Sequence, residues 1–160
     1  MKAGKVISTL LGAAAGATVG AVAMAKSKEE ILVKRKEMSD KHFELFQLLN
    51  QWLINKQQGK EIAPYLKEQG YNKIAIYGMS FVGERLYDDL KHTDIEVAYA
   101  VDKRADKVYT DLEVYTLEDE LPQADVMIVT AITYYDEIEE AIMEVSGVPV
   151  VSLEDIIYGL

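Results

Sequence analysis

Small residues at a fixed spacing follow a short apolar run. Residues 74–77 (IAIY) end at Gly78, and Ser80 and Gly83 come next, before GERLYDDLKH, which is typical of a helix. A glycine turn between a strand and a helix exposes backbone amides that bind phosphate. The residues that we predict to form such a cofactor-binding turn are Gly78, Met79, Ser80, Phe81, Val82 and Gly83.

Ser80 departs from the usual form of this turn. The dinucleotide-binding fingerprint is G-x-G-x-x-G, and Ser80 stands at its middle glycine. That glycine lets a pyrophosphate approach the backbone, so the serine side chain either crowds the phosphate or donates its hydroxyl to it. A turn that only joins a strand to a helix is the alternative.

Further candidates end two other predicted strands. Asp102 ends the second strand, 24 positions after Gly78, near the usual spacing for an acidic residue that binds ribose hydroxyls. The alternative is an ordinary turn residue. Lys103 and Arg104 follow, and their charge suits either a 2′-phosphate or solvent. Thr130 and Ala131 end the fourth strand and are predicted to line the same edge. Together these residues predict NAD(P) binding.

Five apolar runs alternate with predicted short helices. They are residues 74–77, 95–101, 112–115, 126–130 and 148–151, and they predict an α/β fold: a small Rossmann-like parallel five-stranded sheet with helices on both faces. Three strand ends carry a hydroxyl with an aspartate three residues later, which predicts a capping box at a helix start. We assign these aspartates to helix stability; the pairs are Thr116–Asp119, Thr133–Asp136 and Ser152–Asp155.

The sequence offers little chemistry of its own. It has no cysteine and only two histidines, and no Ser/His/Asp set or metal-ligand spacing. We therefore predict no catalytic residues and no metal site, and favour binding without catalysis. The first 70 residues carry a net charge of +4 and the rest −14, so the acidic half is a poor partner for nucleic acid. The basic half suits an anionic membrane surface.

Residues 6–24 form an uncharged run close to the ~20 residues of a membrane-spanning helix. Gly12, Gly16 and Gly20 lie on one helix face and predict close helix packing. We predict a membrane-anchor helix over residues 1–26, a homo-oligomer formed through it, and a single-pass cell-membrane protein. Because more lysine and arginine follows the run, its C-terminal domain is predicted to be cytoplasmic. A cleaved signal peptide and a soluble Ala/Gly helix are the alternatives.

Residues 27–58 contain no proline or glycine and predict a long helix. A short helix over residues 62–69 follows, with Gly70 as its stop. We interpret the first half of the long helix as a solvated stalk. Its second half, FELFQLLNQWLI, is predicted to pack on the chain's own sheet or on a second copy. The predicted domains are the anchor (1–26), the stalk and approach helices (27–70) and the nucleotide-binding domain (71–160).

Four segments carry a resemblance to a known family. They are NKIAIYGMSFVGERLYDDL, VAYAVDK, VYTLEDELPQADVMIVTA and VPVVSLEDIIY. They resemble the small Rossmann-like domains of bacterial capsule and exopolysaccharide biosynthesis proteins, which occur fused to glycosyltransferases. They are also similar to the domain that precedes the catalytic domain in membrane-bound nucleotide-sugar epimerase/dehydratases, and to the N-terminal domain of sugar acyltransferases. The resemblance covers roughly residues 41–160.

The resemblance implies a nucleotide pocket lined by Gly78, Ser80, Gly83 and Asp102. It implies NAD(P) or a nucleotide-sugar as ligand and an accessory or regulatory role in surface-polysaccharide assembly. A glycosyltransferase or sugar-modifying enzyme is the partner that it implies. No catalytic residues carry over from it. The alternatives are an NAD-dependent nucleotide-sugar epimerase or reductase that works with a partner chain, and a ligand-free oligomeric adaptor.

Overall fold

The computed structural model describes residues 3–160, with side chains from Lys28 onward. Residues Glu44–Leu160 form one compact unit, and the described residues before them belong to a second. The helices are α1 (Ala3–Gln57), α2 (Ile62–Glu68), α3 (Phe81–Leu90), α4 (Tyr135–Val145) and α5 (Leu153–Gly159). The strands are β1 (Lys73–Tyr77), β2 (Glu96–Val101), β3 (Val114–Tyr115), β4 (Val126–Val129) and β5 (Val150–Ser152).

The five strands form one parallel sheet in the order β3-β2-β1-β4-β5. The chain first builds outward from β1 to β3 and then returns to the other side of β1. The carboxyl ends of β1 and β4 therefore flank the point where the strand order reverses, the place where sheets of this kind bind ligands. The predicted α/β fold with a parallel five-stranded sheet and a preceding long helix is confirmed.

Alternate residues of the central strands face two separate cores, as the period of two in a strand requires. Ile74 and Ile76 of β1 lie in a core shared with α2, α3, α5 and the end of α1. Ala75 and Tyr77 lie in the core on the opposite face, which α4 covers through Ile138 and Ile142. Both faces of the sheet are buried, which explains the unbroken apolar runs in the sequence.

The second half of α1 packs on the domain's own core, one of the two options that the sequence left open. Leu48 and Trp52 are buried with residues of α2 and α5. The buried Asn55 donates its side-chain amide to Ile157 O at 2.6 Å, which ties α1 to α5. The opposite face of this segment stays exposed and carries Phe46 and Leu53.

A polar loop was predicted between β2 and β3, and a connecting helix between β3 and β4; that helix is absent from the described residues. Only a 3₁₀ turn, Ala105–Lys107, joins β2 to β3. Only turns and irregular chain join β3 to β4.

The three predicted capping boxes have different outcomes. Asp119 accepts from Thr116 N at 2.7 Å as predicted, but the pair closes a turn instead of starting a helix. Thr133 lies within a 3₁₀ turn, and α4 begins later with no side-chain cap, so that prediction is wrong. Ser152 caps α5, but its hydroxyl oxygen accepts at 3.2 Å from Glu154 N, two residues on, and not from Asp155 N as the predicted box requires.

The prediction of a membrane-spanning helix is corrected. No helix in the part of the chain that the structure describes is long and apolar enough to cross a membrane. The part of α1 whose side chains are described begins with KEEILVKRKE over residues 28–37, and charges of this density are costly in hydrocarbon. The transmembrane and single-pass cell-membrane predictions fall with this finding. Residues 6–24, including Gly12, Gly16 and Gly20, lie outside the residues whose side chains are described.

Asp125 joins the amino-terminal ends of two neighbouring strands. Its carboxylate accepts from Asn72 N and Lys73 N, both at 2.8 Å. These backbone hydrogen bonds hold the pKa of Asp125 below its ordinary value of 3.8. A carboxylate with a depressed pKa stabilises the folded state at higher pH, and this contribution is lost as the pH falls below the ordinary value.

We expect Asp125→Asn to flatten the acid side of the stability profile. Unfolding by urea, followed by circular dichroism between about pH 5 and about pH 2, should show a steeper loss of stability in the parent protein than in the variant. Asp106→Asn, which changes an exposed aspartate on the 3₁₀ turn, is the control. Equal slopes for the parent and Asp125→Asn would contradict the assignment.

Candidate functional site

The turn after β1 requires glycine at its first position. Gly78 has a φ of +94°, in the left-handed region that side chains disfavour. A Cβ atom at Gly78 would also lie 2.9 Å from Thr130 Oγ1. The chain can therefore turn sharply from β1 toward α3 only without a side chain at this position.

The last glycine of the turn allows close packing of α3 on the turn. A Cβ atom at Gly83 would lie 2.1 Å from Gly78 O, which no real Cβ atom tolerates. Glycine at this position of the fingerprint allows close helix–strand packing. The structure therefore explains two of the three fingerprint positions by backbone geometry.

Asp102 is hydrogen-bonded to the turn itself. Its Oδ2 accepts from Met79 N and its Oδ1 accepts from Arg104 N, each at 2.9 Å. Gly78 N donates to Val101 O at 2.8 Å. The expectation that the turn presents free amides is therefore wrong for Gly78 and Met79. Each carboxylate oxygen of Asp102 keeps a second lone pair that can accept from a hydroxyl group.

The first backbone amides of α3 come before the hydrogen bonds of the helix begin. Glu84 N is bonded to Ser80 O at 2.9 Å, so the amides of Phe81 and Val82 precede the first bond of the helix. Such amides have no acceptor within their own helix. No side chain caps this end, since Ser80 makes no capping hydrogen bond. An anion placed here would also meet the positive end of the helix dipole.

A cleft of about 410 Å³ opens at this edge of the sheet. The structure brings together five of the predicted residues in its walls: Gly78, Ser80, Asp102, Lys103 and Ala131. Arg104, which the sequence named beside Lys103, also lines the cleft. The sequence did not predict the other walls, which are Tyr77, Leu117, Tyr134, Glu137, Ile138 and Ala141. The spacing of 134, 137, 138 and 141 marks one helix face after β4, a signal that could have identified the α4 wall.

Charges of both signs surround an apolar cleft interior. Lys103 and Arg104 follow Asp102 in the cleft wall, and Glu137 of α4 also lines the cleft. Burial, and then the negative charge of Asp102, raise the pKa of Tyr77. Like an ordinary tyrosine, the phenol is protonated at neutral pH and is able to act as a hydrogen-bond donor. The cleft suits a ligand with an anionic end and an apolar end.

The remaining predicted residues lie outside this cleft. Met79 and Val82 are buried in the core under α3, and Phe81 is 84% exposed at the start of that helix. Thr130 is buried, and its hydroxyl donates toward Gly78 O at 2.6 Å and Tyr77 O at 3.1 Å. Thr130 therefore stabilises the turn through the hydrogen bonds of its buried hydroxyl group.

We expect Thr130→Val to destabilise the protein by about 1–3 kcal/mol, because it leaves the part-buried Gly78 O without its hydroxyl partner. Tyr77 O keeps its bond from Thr130 N. Thr130→Ser keeps the hydroxyl and should cost less. Urea denaturation of the three proteins measures the difference. Equal stability of the valine variant and the parent would show that the hydroxyl does not brace the turn.

The strand order, the glycine turn and the cleft at the reversal point define a Rossmann-like α/β domain. The family model described as "C2185-like, N-terminal" matches residues 70–150, and the chain belongs to this family. No curated protein and no solved structure matches the chain significantly.

Proposed function

We propose that the cleft binds a nucleotide, a dinucleotide such as NAD(P) or a nucleotide-sugar, and that the protein is an accessory or regulatory binding protein. One observation carries the proposal. The glycine turn and Asp102 meet at an open cleft of about 410 Å³ at the strand-order reversal. The resemblance described above supplies the biological setting, surface-polysaccharide biosynthesis with a glycosyltransferase or sugar-modifying enzyme as partner.

The chemistry of the cleft supports this ligand class. The hydroxyl of Ser80 in the cleft wall suits a phosphate group, with the first amides of α3 directly after it in the chain. Asp102 suits ribose hydroxyls through its remaining lone pairs. Leu117, Ile138 and Ala141 supply the apolar surface that a base requires. Lys103 and Arg104 add positive charge beside the anionic end of the ligand.

The test is calorimetric titration of the full chain with NAD, NADP and UDP-glucose. We expect binding of at least one of them, and loss of that binding in Ala141→Phe, which fills the cleft from α4. Met143→Phe is the matched control, since Met143 is 60% exposed on the same helix and does not line the cleft. The absence of binding at millimolar ligand would reject the proposal.

Ser80→Gly separates the two roles left open for Ser80. If the hydroxyl binds phosphate, the glycine variant should bind more weakly than the parent. If the side chain crowds the phosphate, the glycine variant should bind more tightly. The first result is expected, because Ser80 makes no capping bond and lies in the cleft wall.

A second candidate function is a ligand-free adaptor. The bonds of Gly78 N and Met79 N to Val101 and Asp102 favour it, since they satisfy part of the turn without a ligand. An adaptor should keep its association with partners or with itself when Ala141→Phe fills the cleft. Sedimentation of the parent and this variant distinguishes the two candidates.

A further inference from the structure

The cleft opens at the strand-order reversal and does not extend as far as β5. Its walls come from the ends of β1, β2 and β4, the chain after β3 and the first half of α4. No residue of β5 or α5 lines it. In a dinucleotide-binding fold the two nucleotide halves lie on the two sides of the reversal point. A cleft without a wall from β5 or α5 offers a binding surface to only one of those two halves.

The carboxyl end of β5 is filled by the protein itself. Ser152 is 5% exposed and its hydroxyl oxygen caps the start of α5. Leu153 follows it and is fully buried in the core. A cavity of about 180 Å³ lies beside β5, but it shares no wall residue with the cleft. The second half of a dinucleotide has no matching recess there.

The turn can serve few phosphate oxygens. Gly78 N and Met79 N already donate to Val101 O and Asp102. The amides of Phe81 and Val82, which follow Ser80 in the chain, precede the first hydrogen bond of α3 and have no acceptor within the helix. A volume of about 410 Å³ is also near the lower end of the ~300–1,000 Å³ typical of ligand sites.

We propose that the cleft recognises a single mononucleotide unit, a nucleoside mono- or diphosphate. The nicotinamide half of a dinucleotide, or the sugar of a nucleotide-sugar, then stays in solvent and adds no affinity. This inference rests on the proposed function, because it requires that the cleft binds a nucleotide. It narrows the recognised group to the base, the ribose and the adjoining phosphates.

The experiment dissects the ligand. AMP, ADP, ADP-ribose and NAD are titrated into the full chain by calorimetry, and UDP and UDP-glucose form a second series. In the first series we expect the Kd values of ADP and NAD to agree within about threefold. In the second we expect the same agreement between UDP and UDP-glucose. NAD binding more than tenfold tighter than ADP, or UDP-glucose than UDP, would overturn the inference while the proposed function stands. No binding in either series would instead reject both.

Substitutions at the two neighbouring surfaces show where any added affinity arises. Glu154→Trp places a large side chain at an exposed position beside the carboxyl end of β5, and we expect it to leave NAD and ADP binding unchanged. A selective loss of NAD affinity in this variant would overturn the inference.

A separate cavity of about 170 Å³ shares Ser80, Asp102 and Arg104 with the cleft and includes Lys107. If the protein preferred NAD to ADP and Lys107→Ala removed that preference, the second half of the dinucleotide would bind in this smaller cavity. That result would also overturn the inference.

Discussion

Gly83→Ala is expected to destabilise the protein by ~3 kcal/mol or more, at or beyond the upper end of ordinary overpacking. The new Cβ atom would lie 2.1 Å from Gly78 O, and the neighbouring atom is backbone that cannot rotate away. Relief requires α3 to move away from the turn, which would separate Val82 and Leu86 from the core that they share with β1.

Thermal unfolding followed by circular dichroism measures this effect. For a chain of this size a loss of ~3 kcal/mol lowers the Tm by roughly 6–12 °C. Gly147→Ala is the matched control, since a Cβ atom there meets nothing within 4 Å and should change the Tm little. A Gly83→Ala variant as stable as this control would show that α3 does not pack against the turn as described.

The glycine turn could be predicted from the sequence, but the hydrogen bond that Asp102 makes to it could not. The spacing of Gly78 and Gly83 after an apolar run predicted the turn, because few arrangements need glycine at both positions. The partner of Asp102 was not predictable in this way. Its hydrogen bond to Met79 N depends on how far β2 extends beside β1, and no local pattern encodes that register.

The walls of the cleft depend on contacts that are distant in the chain. Leu117 lies after β3, and Ile138 and Ala141 lie on α4. No local pattern brings these three residues together, and a helix was expected where irregular chain joins β3 to β4. The pair Thr116–Asp119 looked like a helix start because the same hydrogen bonds also close an isolated turn. The local pattern was correct, and the helix after it was not.

The strands were easier to predict than the short connections. Residues 74–77 and 126–129 are buried on both faces, so their composition is unambiguous. The end of α1 was also identified as a packed segment, but its partner was left open. The sequence places Leu48 and Leu53 on different faces of one helix, and only the tertiary contacts decide which face is buried.

Because Leu48 lies on the buried face of α1, Leu48→Ala is expected to destabilise the protein by about 2–5 kcal/mol. Leu48 is fully buried in the core with residues of α2 and α5, so its removal leaves a cavity in contact with Trp52 and its neighbours. Leu53→Ala on the same helix is the control. Leu53 is 56% exposed, and its truncation should change the stability by less than about 0.5 kcal/mol.

Urea denaturation at two protein concentrations distinguishes the two packing partners that the sequence left open. If α1 packs within one chain, the large effect of Leu48→Ala is independent of concentration, because unfolding is then a unimolecular reaction. If a second copy covered Leu48 instead, the midpoint would rise with protein concentration. A Leu53→Ala effect as large as that of Leu48→Ala would contradict the assignment of the buried face, and α1 would then be anchored to the sheet by a different set of side chains.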